Sequence, residues 1–414
     1  MNTEPVNTEP VDTGPVGPGL GGPARPFVIT APTVLTGLPD AGVLSPGYVV
    51  LTAGRVAAVG EGAPPGAADV ALADGYLAPG FVDLQVNGYY GEELQDARPE
   101  GWAHVIARLP ETGTTAFVPT FVTSPVERLA RALRGAASFR RELPFGARVI
   151  GVHLEGPFLS PARRGAHNAA WMTDPSPAVI DELIEAGDGL LRLVTLAPER
   201  PGGLAAVARL AAAGVLVSVG HSDATAAQVS RAADCGARMV THLYNAQRPL
   251  GHREPGVVGQ ALTDPRLTSG LIADLHHVSV PACLIALAAA PGRIALVTDA
   301  AACAGMPPGR YLLGGEPIEL PPGAGQPPVR ADGVLAGSAL RMDTAVANLA
   351  GAGVSLPAVV SAATSIPADL IGCPQLGRIA PGAAGDLVWL GPGLQARATW
   401  IGGRQVFGPG AAVR

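Results

Sequence analysis

The sequence predicts an α/β protein: a TIM-like (β/α)8 barrel joined to a small discontinuous β-sandwich domain built from both chain ends. Three observations lead there. Between residues 81 and 308, short apolar runs alternate with amphipathic Ala- and Arg-rich stretches, and eight β/α units fit that span. On either side, residues 27–80 and 309–414 return to β-type runs separated by Gly and Pro turns. Within the central span, histidines and acids recur at the C-terminal ends of the apolar runs, where barrels of this kind keep their functional groups.

Taken in order, residues 1–26 repeat NTEPV, NTEPV, DTGPV. They are rich in Pro, Gly and acid, carry no basic residue before Arg25 and lack the apolar core of a signal peptide, so a disordered tail is expected. The runs PFVITAPTVLTG, GYVVLTAGRVAAVG and AADVALADGYLAPG read as sandwich strands. Barrel strands fall at GFVDLQVNG, TTAFVPTFV, RVIGVHLEG, LRLVTLAPE, VLVSVGHS, RMVTHLYN, SGLIADLHHV and RIALVTDA. Helical stretches such as VERLARALRGAASF, GLAAVARLAAAG and ATAAQVSRAADCG lie between them. After Gly309 come β-type runs, a Pro-rich loop, a helical stretch near 342–371 that packs on the barrel, and a last strand pair at GDLVWLG and ATWIGGRQVFG.

Composition narrows the function. The 414 residues are 48% hydrophobic and 15% charged, which suits a substantial globular core. A formal charge of −6 without a basic stripe argues against nucleic acid as a partner. Cys235, Cys283, Cys303 and Cys373 are scattered and form no CxxC pair, so a reducing, cytoplasmic setting is expected. No apolar run is long enough for a membrane helix; CLIALAAAPGRIALV is broken by Pro291, Gly292 and Arg293. All 28 basic residues are arginine. Chemistry that needs a Schiff-base lysine, a P-loop lysine or a carbamylated lysine between two metals is therefore ruled out.

The run VIGVHLEGPFLSP, residues 149–161, places Glu155 in an otherwise apolar strand with no nearby cation until Arg163. A buried carboxylate must be protonated, hydrogen-bonded or bound to a cation. Glu155, His221 and His242, each at the end of a separate strand, form a two-histidine, one-carboxylate set. Such a set suits one catalytic divalent metal, zinc first, with iron, manganese or cobalt as alternatives. Taken singly, each residue reads as a hydrogen-bonded core group; together they read as ligands. Asp299 ends the eighth strand and is placed to act as general base and acid, although the same residue could begin a helix as its cap. His153 shares a strand face with Glu155 and is either a support for the site or a packed core residue.

The motifs LAPGFVDLQVNGYYG, GVHLEGPFLSPARRGAHN, SVGHSDAT, THLYNAQRPLGHREPG, LIADLHHV, LVTDAAACAGM and LGRIAPGAAGDLV occur in order between about residues 75 and 405. In this the chain resembles the N-acetylglucosamine-6-phosphate deacetylase family of the amidohydrolase superfamily. The resemblance implies Glu155, His221 and His242 as metal ligands and Asp299 as the acid–base group. It implies His167 as the group that polarises the acetyl carbonyl. It places Asn245, Ala246 and His277 against the phosphorylated N-acetyl amino sugar, and Arg253 at the phosphate of a neighbouring subunit, hence a homodimer. The His-x-His positions of two-metal relatives are here Asp83-Leu84-Gln85, followed by Asn87, so one metal is expected. In IADLHHV the family's usual glycine is missing, which leaves His276 and His277 both available, with His277 the better match. Gly305 and Met306 are further candidates for substrate contact. Deacetylation of N-acetylgalactosamine 6-phosphate, a different amidohydrolase reaction, and a non-catalytic sugar-phosphate-binding barrel remain open alternatives.

Overall fold

The computed structural model describes residues 25–38, 42–323, 325–409 and 411. The expected tail, residues 1–26, lies almost wholly outside them. Eight parallel strands form the barrel: β1 Phe81–Val86, β2 Thr114–Val122, β3 Val152–Glu155, β4 Leu191–Leu196, β5 Leu216–Val219, β6 Met239–Val240, β7 Thr268–Leu271 and β8 Ile294–Leu296. They pair in sequence order from β1 to β8. The ends of β8 and β1 meet where the Asp299 N–H donates to the Gln85 carbonyl at 2.9 Å and the Asn87 N–H to that of Ala300 at 2.8 Å.

The strand sequences explain this burial. All nine residues of β2 and all six of β1 are buried, as expected for strands covered on both faces. The helices between strands are amphipathic. In Val126–Phe139 the residues Leu129, Ala130, Leu133 and Ala136 recur at helical spacing and are buried. In Ala226–Asp234 a capping box between Thr225 and Gln228 fixes the start of the helix directly after the His221 loop. Helices Met342–Gly351, Leu356–Ala363 and Ser365–Leu370 cover the long helical stretch seen in the sequence, and the last two pack against β1 and β8.

The chain ends build the β-rich domain. One four-stranded sheet comes from the N-terminal part alone, in the order 55–61, 47–52, 27–31, 70–71. A six-stranded sheet interleaves both ends: 404–407, 396–401 and 387–390 continue into 76–79, 34–35 and 43–44. Ile29, Val49, Leu51, Leu77, Leu387 and Trp400 share its core.

Two details differ from the sequence reading. The run ATWIGGRQVFG is two strands rather than one, because Gly402 and Gly403, at φ +56° and +73°, make a hairpin turn. The stretch after Gly309 does not join the sandwich sheets at first. Gly309–Leu313 and Glu316–Leu320 pair with each other as a separate hairpin, whose core includes Ala301, Cys303 and Ala336. Among the described residues, no helix is long and apolar enough to cross a membrane.

Candidate active site

The C-terminal rim of the barrel gathers the polar strand ends. Glu155 is the last residue of β3, His221 and His242 each stand two residues past β5 and β6, and Asp299 stands three past β8. His221, His242 and Asp299 have φ of +46°, +27° and +52°, a region that non-glycine residues avoid unless their surroundings hold them there. The His221 carbonyl accepts the Ser160 N–H at 2.9 Å, and the Asp299 carbonyl accepts the Ser338 N–H at 2.8 Å.

Glu155, His221 and His242 converge. Oε1 of Glu155 lies 2.9 Å from Nε2 of His242 and 3.2 Å from Nε2 of His221, and the two Nε2 atoms are 3.0 Å apart. The Nδ1–H of His221 donates to the Arg163 carbonyl at 2.9 Å, which leaves the His221 Nε2 lone pair facing the cluster. Three basic atoms within about 3 Å of one another cannot all be satisfied by a single proton, whereas a cation satisfies all three. This donor set fits a divalent metal, and within the described residues these three are the His, Cys, Asp or Glu group so arranged. Burial opposes ionisation of Glu155, but the adjoining His221 and His242 rings hold its carboxyl well below the usual range.

Amides tie the carboxylates together. Nε2 of Gln85 donates to Oε1 of Glu155 and Oδ1 of Asp299, both at 3.1 Å, and Nδ2 of Asn87 donates to the same Asp299 oxygen at 2.7 Å. Burial, reinforced by the Glu155 charge, pushes Asp299 up to about 6. Asp83 is turned away from the cavity and accepts from the Thr298 hydroxyl at 2.6 Å; burial pushes it up to about 7.

His167 lies across the cluster, with Nε2 3.8 Å from Glu155 Oε2. Its Nδ1 is 2.9 Å from the Thr123 hydroxyl and accepts the Thr123 backbone N–H at 3.4 Å. A peptide N–H can only donate, so Nδ1 keeps its lone pair and the proton sits on Nε2. Burial, together with the neighbouring His221, pushes this ring down to about 3, so it is neutral.

A cavity over this cluster is lined by Asn245, Ala246 and His277 as well as by His167 and Asp299. His277 donates from Nδ1 to Asp274 at 2.6 Å, while His276 is exposed and outside the cavity lining. Arg253 is exposed and outside the cavity of its own chain. His153 spends both ring nitrogens on threonines, Thr120 at 3.2 Å and Thr195 at 2.7 Å, and so belongs to the barrel interior. Gly305 and Met306 do not line the cavity: a Cβ on Gly305 would meet the Tyr90 ring, and Met306 packs over Gly91. Sequence reading missed Thr123, Asn168, Trp171 and the hairpin residues Leu313, Gly314 and Glu316, all of which line the cavity. The Gly-Gly pair in YLLGGEPIEL was the available signal for that hairpin.

A barrel with a Glu-His-His cluster and a carboxylate at its C-terminal rim defines a class, the metal-dependent hydrolases of amides. A model described as the amidohydrolase family matches residues 76–406, and the chain belongs to that family. It is 38% identical over 331 residues to the N-acetylgalactosamine-6-phosphate deacetylase of Escherichia coli O157:H7, covering 79% of this chain and 87% of that relative. It is also 38% identical over 344 residues to the N-acetylglucosamine-6-phosphate deacetylase of Danio rerio, covering 80% and 84%. Among solved structures, a mutant N-acetyl-D-glucosamine-6-phosphate deacetylase of Mycobacterium smegmatis, in complex with N-acetyl-D-glucosamine-6-phosphate, superposes with a TM-score of 0.87. It shares 38% identity, with 92% of this chain and 99% of that one covered.

Proposed function

We propose that this chain hydrolyses the N-acetyl amide of N-acetylglucosamine 6-phosphate, giving glucosamine 6-phosphate and acetate. The observation that carries the reading is the meeting of three basic atoms from Glu155, His221 and His242 at about 3 Å, with Asp299 held to the same Gln85 amide. Glu155, His221 and His242 would hold a divalent cation, zinc by preference for two imidazoles and a carboxylate, which would supply Lewis acidity toward the acetyl carbonyl and a lowered pKa for the attacking water.

The chain's own residues do the rest. Asp299 takes a proton from water as the water oxygen bonds to the acetyl carbon. The Nε2–H of His167 donates to the carbonyl oxygen as it becomes an oxyanion. Asp299 then delivers the proton to the amine nitrogen as the C–N bond breaks. Gln85 and Asn87 keep the carboxylate turned toward the reacting atoms.

Among the described residues the cavity lining holds no arginine, and the chain has no lysine. Phosphate therefore meets His277, Asn245 and the Ala246 backbone, with Arg253 supplied by a second copy of the chain. Arg253 is exposed, and Leu250, three residues before it in the chain, leaves 55% of its surface open, which supports a homodimer at this edge. Four cysteines without a disulfide among them support a cytoplasmic location.

A second substrate has a specific observation behind it: the galactosamine-type relative is as similar to the chain as the glucosamine-type one. Acetate release from both epimeric sugar phosphates, with added zinc, tests the function. We expect turnover with the gluco epimer preferred. No acetate from either, with a filled metal site, would favour a non-catalytic sugar-phosphate binder.

A further inference from the structure

Three carboxylates line the cavity: Glu155, Asp299 and Glu316. The first two are tied together by Gln85 and belong to the reaction centre. Glu316 has no part in it. It opens the second strand of the Gly309–Leu313/Glu316–Leu320 hairpin, directly opposite Leu313 in the register.

The fold fixes this side chain. Gly314 and Gly315 form a two-residue turn at φ +64° and +83°, which glycine adopts at little cost. The turn is pinned to the barrel, since the Gly314 N–H donates to the Glu93 carboxylate and Nη1 of Arg128 donates to the Gly314 carbonyl at 3.2 Å. Nδ2 of Asn168 donates to Oε1 of Glu316 at 3.0 Å, while Oδ1 of Asn168 accepts the Ala170 N–H at 3.0 Å. Asn168 thereby caps the short turn that carries Trp171 into the same cavity. Among the described residues, the other oxygen of Glu316 has no hydrogen-bond partner.

We propose that Glu316 is a specificity-determining residue that accepts a hydrogen bond from a ring hydroxyl of the sugar; this rests on the substrate class proposed above. A carboxylate and a phosphate dianion repel in a partly dry cavity, so Glu316 cannot sit at the phosphate end. The substrate's remaining hydrogen-bond donors, apart from its amide, are ring hydroxyls, and a carboxylate accepts from them more strongly than a neutral group does. Trp171 gives the apolar C–H face of a pyranose a flat surface to rest on.

The test uses calorimetric binding to Asp299→Asn and to Asp299→Asn/Glu316→Gln, with N-acetylglucosamine 6-phosphate and its 1-deoxy, 3-deoxy and 4-deoxy analogues. Expected is an affinity loss of about tenfold or more from Glu316→Gln on the parent sugar, and a much smaller loss on the one analogue that lacks the contacted hydroxyl. Equal losses on all four sugars, or none, would overturn the proposal. If Glu316→Gln does not fold, Glu316→Asp, which withdraws the carboxylate by one methylene, is read the same way. Acetate release by the unmutated enzyme is measured alongside. Binding without turnover would overturn the deacetylase reading while leaving the hydroxyl contact decided by the sugar series, and absence of binding would overturn both.

Discussion

At the scale of the residue, the site holds its groups in unfavourable backbone conformations. Positive φ at His221, His242 and Asp299 costs on the order of 1–3 kcal/mol each, and it persists because the neighbouring strands impose it. What this secures is direction: two imidazoles and a carboxylate share a point, and Asp299 faces it through Gln85 and Asn87. Asp299→Asn should keep the metal and lower kcat by a factor of roughly 10²–10⁴, measured by acetate release beside metal content. Unchanged kcat would remove Asp299 from the reaction. Asp83 gives a separate test, in stability. Its folded-state pKa is raised from 3.8 to about 7, so between about pH 4 and 7 the folded chain keeps a proton that the unfolded chain releases. Stability contributed by that proton is present below the unfolded value and is lost as pH rises through the window, by on the order of 4 kcal/mol at most. Denaturant unfolding of Asp83→Asn should lack this decline. The Thr298 hydroxyl, relieved of Asp83, can turn to the Gln85 carbonyl 3.3 Å away.

At the scale of the element, the strand ends and one hairpin divide the labour. The strand ends carry the proposed chemistry, and the hairpin carries Leu313 and Glu316 to the cavity. Gly314 is the narrowest point of that arrangement: a Cβ there would stand 2.6 Å from Val122 Cγ2, on a backbone with φ +64°. Gly314→Ala should therefore raise KM and lower stability by about 1–2 kcal/mol, read from kinetics and thermal unfolding. The barrel strands and their helices were legible in the sequence because their apolar periods are strong and their ends are marked by Gly and Pro. His153 was not: its period places it beside Glu155, but only the register with β2 and β4 reveals Thr120 and Thr195 as its partners. The Tyr90 ring packed against Gly305 is equally a product of tertiary packing.

At the scale of the whole molecule, the β-rich domain is joined to the barrel by a buried ion pair. Arg148, just before β3, makes a bidentate contact with Asp386 at 2.7 and 2.9 Å, and Asp386 also accepts the Gly402 N–H at 2.7 Å. The sequence presents Asp386 only as part of GDLV, with no sign of its partner 238 residues away. Asp386→Asn leaves Arg148 buried without its counter-charge and should cost about 3 kcal/mol, measured as a lowered Tm. The Glu-His-His set was readable because each member ends a recognisable strand, and a closed barrel brings strand ends together. The hairpin's place over the cavity was not, because its neighbours are set by long-range packing against Glu93, Arg128 and Asn168.

The central claim is that Glu155, His221 and His242 together hold one divalent ion on which hydrolysis depends. Metal content per chain, measured for the unmutated protein and for His221→Ala and Glu155→Ala after equal loading with zinc, tests it most directly. The expected result is one ion per chain in the first and well below one in each variant, with acetate release falling in step. Full retention of metal by both variants would contradict it.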